Sequence, residues 1–123
     1  MPWELCYLVP PLVLHHESRQ ALPSTARTHL ASWVGTNQPV LVTFADRVRR
    51  FRPHVDEGLR FGLRTKLLSV ARDAHVGAQI PRSVKVGTVT ELDEILRAAA
   101  TLGAVLGRAG SSTNIYTLLG VSP

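Results

Sequence analysis

The sequence predicts an α+β fold that is mostly α: a small, winged-helix-like single domain over 1–123 with one short β-hairpin. Three observations carry this. Apolar residues recur at helical spacing through most of the chain, two short β-prone runs at 67–71 and 76–80 flank the turn-like Arg72-Asp73-Ala74-His75, and 123 residues hold one modest core.

The first element is the least periodic. Residues 5–14 (Leu-Cys-Tyr-Leu-Val-Pro-Pro-Leu-Val-Leu) are apolar on every side and rich in strand formers. We expect a buried strand over 5–13, ended or bent by Pro10 and Pro11, with a helix as the alternative. Ser24 or Thr25 can cap a helix over 25–34 whose Leu30, Trp33 and Val34 share a face. From Val40, the apolar residues Leu41, Phe44, Ala45 and Val48 recur at three and four, predicting an amphipathic helix over 40–52 with arginines on its outer side. Pro53 lacks a backbone donor and disfavours a helical Arg52, so that helix should stop and a second begin, over 53–65. Asp56 and Glu57 near its start, with Arg64 and Lys66 at its end, suit the helix dipole. Helix, helix, hairpin is the second half of a winged-helix unit, with 53–65 in the recognition position.

After a loop over 81–87, Thr88 and Glu91 have capping-box spacing ahead of a helix over 89–109, whose Leu92, Ile95, Leu96, Ala99, Leu102, Gly103 and Leu106 form one stripe. Gly103 and Gly107 would let another backbone come close. Ser111 or Ser112 can cap a last helical stretch that Gly120 stops.

Charge is unevenly placed. Between positions 47 and 66 lie Arg47, Arg49, Arg50, Arg52, Arg60, Arg64 and Lys66 against Asp56 and Glu57, a surplus of five equal to the chain's whole net charge of +5. Such a patch faces a polyanion or an acidic protein surface. With only Phe51 and Phe61 nearby to stack bases, contact with a duplex backbone suits it better than single-strand recognition. All seven basic residues are therefore DNA-binding candidates.

Catalytic chemistry is harder to assemble. His15-His16-Glu17 is the one metal-like cluster, but adjacent histidines on an extended segment point apart, and a solvent-facing turn explains them better. His29, His54 and His75 lack ligand spacing, while Asp56-Glu57 and Asp93-Glu94 read as residues of a helical first turn. No Gly-rich turn runs into Lys-Ser or Lys-Thr, so a phosphate loop is missing. The lone Cys6 excludes an internal disulfide and reads as a small buried hydrophobe. We expect a non-enzymatic protein with no cofactor and no metal. With no stretch near membrane-span length and no basic region ahead of 5–14, a cytoplasmic location is expected.

Three stretches carry a resemblance. Leu8-Val9-Pro10-Pro11-Leu12-Val13-Leu14-His15 is followed by Arg19-Gln20-Ala21-Leu22-Pro23. Phe44-Ala45-Asp46-Arg47 is followed by Pro53 and Glu57-Gly58-Leu59-Arg60-Phe61-Gly62-Leu63. Leu102-Gly103 leads to Arg108-Ala109-Gly110-Ser111, then Ile115-Tyr116-Thr117-Leu118-Leu119-Gly120-Val121 and Pro123. In order and spacing these resemble the middle component of three-component ABC-ATPase antiphage defence systems of the Lamassu type. The resemblance implies a non-catalytic accessory subunit that bridges an SMC-like ABC ATPase subunit and a nuclease-like effector subunit, with double-stranded DNA as a candidate further partner and no membrane partner. It also implies a helix beginning Asn-Pro-Ala ahead of the apolar segment, whereas here the chain opens with Met1-Pro2-Trp3. For such an adaptor the partner-binding candidates are Gly103 and Gly107, for close helix approach, with Ile115, Tyr116 and Leu119 as apolar anchors. The alternative function is a free-standing winged-helix DNA-binding regulator.

Overall fold

Apolar side chains from both ends of the chain meet in one core, so the N-terminal segment is an internal element of the fold. The structure is a computed structural model that describes residues 1–79 and 90–122. Leu5, Leu8, Leu12 and Val13 pack with Leu30, Trp33, Phe44 and Val48 and with Leu102, Leu106, Ile115 and Leu119. The molecule is mostly helical, with a two-stranded antiparallel hairpin.

The expected N-terminal strand over 5–13 is helical instead. A 3-10 turn, Trp3–Tyr7, leads into α1, Val9–Val13. Pro10 and Pro11 do not break it, because they occupy the first helical turn, where a missing N–H costs nothing. Leu5, Leu8 and Leu12, three and four apart, are all buried. That spacing is the helical signal within a run whose uniform apolarity mimics a buried strand.

His15 then caps α2, His16–Ala21, its Nδ1 accepting from the Ser18 backbone N–H at 3.3 Å. The expected helix over 25–34 begins late, as α3, Leu30–Thr36. Thr25 instead turns the chain ahead of it, accepting from the Arg27 N–H at 3.0 Å. The end of α3 is closed by side chains: Asn37 Nδ2 donates to Trp33 O at 2.8 Å and Gln38 Nε2 to Val34 O at 2.9 Å. Trp33 Nε1 donates to Ala21 O at 2.7 Å, tying α3 to the end of α2.

After a short α4, Gln38–Leu41, the two helices expected on either side of Pro53 are one: α5, Phe44–Arg64. An interior proline costs about 3 kcal/mol. Here it lies on the exposed side of the helix, while Phe44, Val48, Val55 and Leu59 bury one continuous apolar side before and after it. Burial of that side outweighs the lost hydrogen bond. The helix-then-helix unit preceding the hairpin is thus a single rod.

Arg47, expected on the basic outer side, is buried at 5% exposure. Its Nη1 donates to Pro11 O and to Ser18 Oγ, both at 2.8 Å, and its Nη2 to Val40 O at 3.0 Å. The guanidinium also lies 5.6 Å from the Phe44 ring centroid. Burial pulls its pKa down, with the nearby Arg50 charge adding to the effect. A guanidinium begins high enough to stay charged regardless. Arg19, also buried, donates from Nη1 to Val13 O at 2.9 Å and reaches Glu91 at 3.3 Å, fastening α1 to the first turn of the helix Thr90–Gly107, α6.

The hairpin is β1, Leu68–Val70, against β2, Val76–Ala78, with Val70 opposite Val76. Its second strand reaches 78, and Ile80, the 81–87 loop and Thr88 of the capping box lie outside the described residues. The chain's first residues line the outer edge of β2: Val76 N–H donates to Met1 O at 2.6 Å and Trp3 N–H to Ala74 O at 2.8 Å. The hairpin meets α5 at Gly62, where an added Cβ would lie 2.6 Å from Leu68 Cγ.

α6, Thr90–Gly107, and α7, Ser112–Leu119, follow the expected pattern. Ser111 Oγ accepts from the Asn114 N–H at 3.2 Å, and Gly120 ends α7 at φ 72°, a left-handed stop. No helix among the described residues is long and apolar enough to cross a membrane.

Arg47→Met should lower unfolding free energy by about 3 kcal/mol, because two carbonyls and a hydroxyl lose their donor in the interior. Urea denaturation checks it, with Arg49→Met, on the surface, as a near-neutral control. Gly62→Ala should cost about 1–3 kcal/mol by overpacking Leu68. Leu68→Ala in the Gly62→Ala background should recover part of that, read as a non-additive shift in thermal midpoint.

Candidate functional site

Six of the seven basic candidates remain on the surface once Arg47 is assigned to the interior. Arg49, Arg50, Arg52, Arg60, Arg64 and Lys66 are all exposed, but α5 divides them. At about 100° per residue, Arg49, Arg60 and Arg64 fall within one narrow sector, a ridge about 22 Å long. Arg52 turns to one flank of this ridge and Arg50 to the other. Lys66 lies just beyond the helix, in a left-handed conformation at φ 63°. Arg49 forms a surface ion pair with Asp46, one turn away, so part of its charge is already answered.

Each flank borders a cavity. On the Arg50 side, a groove of about 650 Å³ is walled by Cys6, Pro10 and Leu14 of the N-terminal segment and by Phe51, His54, Val55 and Leu59 of α5. Cys6 is half-buried there, and burial pushes its thiol pKa up, so the neutral form prevails.

On the Arg52 side is a cavity of about 620 Å³. Trp3, Glu4 and Tyr7 contribute from the N-terminal turn, Val48, Arg49 and Arg52 from α5, and Ser112, Thr113 and Tyr116 from α7. The Arg52 guanidinium stands 6.0 Å from the Tyr7 ring centroid. The Tyr7 hydroxyl donates to Asp56 Oδ1 at 2.5 Å; this bond, then burial, raises the phenol's pKa. The Tyr116 hydroxyl donates to Glu4 O at 2.6 Å, and its pKa is raised by burial first and by the Glu4 charge second. Both phenols therefore stay neutral to higher pH than free tyrosine.

This three-aromatic, two-arginine cavity was not foreseen from the sequence. Trp3 and Tyr116 are 113 positions apart, and no local pattern joins them.

Of the partner-binding candidates, Ile115, Tyr116 and Leu119 belong to the core: Ile115 is wholly buried and Leu119 nearly so, as α7 packs on α3. They serve the subunit's own interior. Gly103 and Gly107 lie on the outer side of α6, which also shows Leu92 and Leu96, each 43% exposed. A Cβ at Gly107 would meet nothing within 4 Å, and one at Gly103 only the Met1 side chain at 3.8 Å. This stripe of small and apolar residues faces outward.

The His15-His16-Glu17 segment is a helix start. The His15 ring bonds Ser18 Oγ at 2.8 Å, and Ser18 in turn accepts from Arg47. Among the described residues no three His, Cys, Asp or Glu side chains gather where a metal ion could sit.

The three stretches that carried the family resemblance meet in this structure. Pro11, through its carbonyl, and His15, through Ser18, join Arg47 of the second to the first, and Leu102, Ile115 and Leu119 of the third close the same core. No curated protein and no solved structure matches the chain. The family model described as ABC-three component (ABC-3C) system Middle Component 3 does match it, over residues 1–123. With its entire length covered by that model, the chain belongs to the ABC-3C Middle Component 3 family.

Proposed function

We propose that this chain is a non-catalytic accessory subunit of a Lamassu-type defence complex, bridging an SMC-like ABC ATPase and a nuclease-like effector in the cytoplasm. The observation that carries it is the family match over the whole chain. A subunit of such a system needs a surface for its protein partners and, where the complex senses DNA, one for phosphates.

The outer side of α6 suits the first role. Leu92 and Leu96 offer apolar contact, and Gly103 and Gly107 let a partner helix come close, so we assign this side to another protein component of the system. The ridge of α5 suits the second. Arg49, Arg60 and Arg64, with Arg50 and Lys66 beside them, can neutralise successive phosphates without reading sequence.

Gly107→Leu separates folding from assembly. The new side chain has open space around it, and replacing a helical glycine should hold or raise stability by up to about 1 kcal/mol. Co-purification with the ATPase from co-expressing cells should nevertheless be lost. The Arg60→Glu, Arg64→Glu double variant should still assemble, while the complex's DNA affinity falls and its salt slope drops by about 2. If the double variant fails to assemble and DNA binding is unchanged, the ridge is a protein interface. A chain that never co-purifies and binds duplex alone is the free-standing regulator instead.

A further inference from the structure

We propose that the cavity between the N-terminal turn, α5 and α7 binds a nucleoside 5′-phosphate unit, its base against the aromatic side chains and its phosphate on Arg49 and Arg52. This inference goes beyond the adaptor reading and stands without it. The cavity's volume, about 620 Å³, lies within the usual range of small-ligand sites. Its lining brings together two kinds of recognition group. Trp3 and Tyr7 supply π surface, which accepts any base and needs no sequence pattern, while Tyr116, mostly buried in the core, contributes to the wall. Arg49 and Arg52, one helical turn apart on α5, supply guanidiniums whose planar donors match phosphate oxygens.

The arrangement is also held in place before any ligand arrives. Tyr7 is fixed by its bond to Asp56 and Tyr116 by its bond to Glu4 O, so binding need not freeze either ring. Both phenols stay uncharged at neutral pH and do not repel a phosphate. Arg52 already stands beside the Tyr7 ring, so a base seated there meets a ring and a cation together. Glu4, which also lines the cavity, provides an acceptor for ribose hydroxyls or a base amine. An apolar ligand would make no use of the guanidiniums, and a bare phosphate would leave the rings uncovered.

The phosphate unit can belong to a free nucleotide or to a strand, and one experiment distinguishes them. The full chain is titrated by calorimetry with 5′-AMP, adenosine, inorganic phosphate and a single-stranded pentanucleotide. Trp3 emission is followed in parallel in a Trp33→Phe background. For a free-nucleotide site, 5′-AMP should bind at least about tenfold tighter than adenosine or phosphate and should change Trp3 emission. Arg52→Ala and Arg49→Ala should each weaken it by about tenfold. The Arg60→Glu, Arg64→Glu variant should bind AMP as the parent does, which separates this site from the ridge. For a strand-borne unit, the pentanucleotide binds, AMP does not, and Arg52→Ala again weakens binding. The proposal is overturned if neither AMP nor the pentanucleotide binds, if AMP binds no tighter than phosphate, or if Arg49→Ala and Arg52→Ala both leave binding intact.

Discussion

A single buried guanidinium sets the terms for the rest of this molecule. Helix α1 has five residues and therefore leaves most of its carbonyls without intrahelical partners, and those carbonyls end inside the protein. Arg47 answers the one at Pro11 and Arg19 the one at Val13, so two cations sit where a short helix concentrates its negative end. The other donors of Arg47 reach Ser18 and Val40, which places α1, α2, α4 and α5 at fixed separations from one side chain. A lysine could not substitute, because a single ammonium cannot present donors in that planar fork.

This has a consequence for how the family is recognised. The residues that make the chain resemble its family, among them Pro11, His15, Arg19, Phe44 and Arg47, build the clamp and the core around it. They describe a scaffold. Arg60, Arg64 and Gly107, which the proposed function assigns to partners, are exposed on the outer sides of α5 and α6. On the proposed function, the side chains that identify the family and those assigned to partners overlap only in part, at Arg60 and Gly103.

Much of the architecture was legible in the sequence where local rules and burial agree. α6 follows its apolar stripe, α7 runs from its serine cap to its glycine stop, and the hairpin lies where two β-prone runs flank a turn. The misreadings share a cause: each needed a comparison with distant residues. A uniformly apolar segment carries a weak period, so residues 5–13 read as strand until their partners on α5 and α6 are known. Pro53 breaks a helix in isolation, and only the apolar side running past it on α5 shows why it does not. Arg47 sits with three other arginines within six positions, and nothing local marks it as the one that turns inward. The aromatic cavity was the least legible, being assembled from three segments that only the fold brings together.

The strap formed by the first three residues has a mechanical side. Two peptide groups lace it to the hairpin, at Ala74 and Val76, and the same strap carries Trp3 into the cavity wall, with Tyr7 one turn further on. The hairpin's tip and the aromatic rings are therefore parts of one short lever. A force on the tip would reach Trp3 through those backbone hydrogen bonds, and through the turn Trp3–Tyr7 it would reach Tyr7.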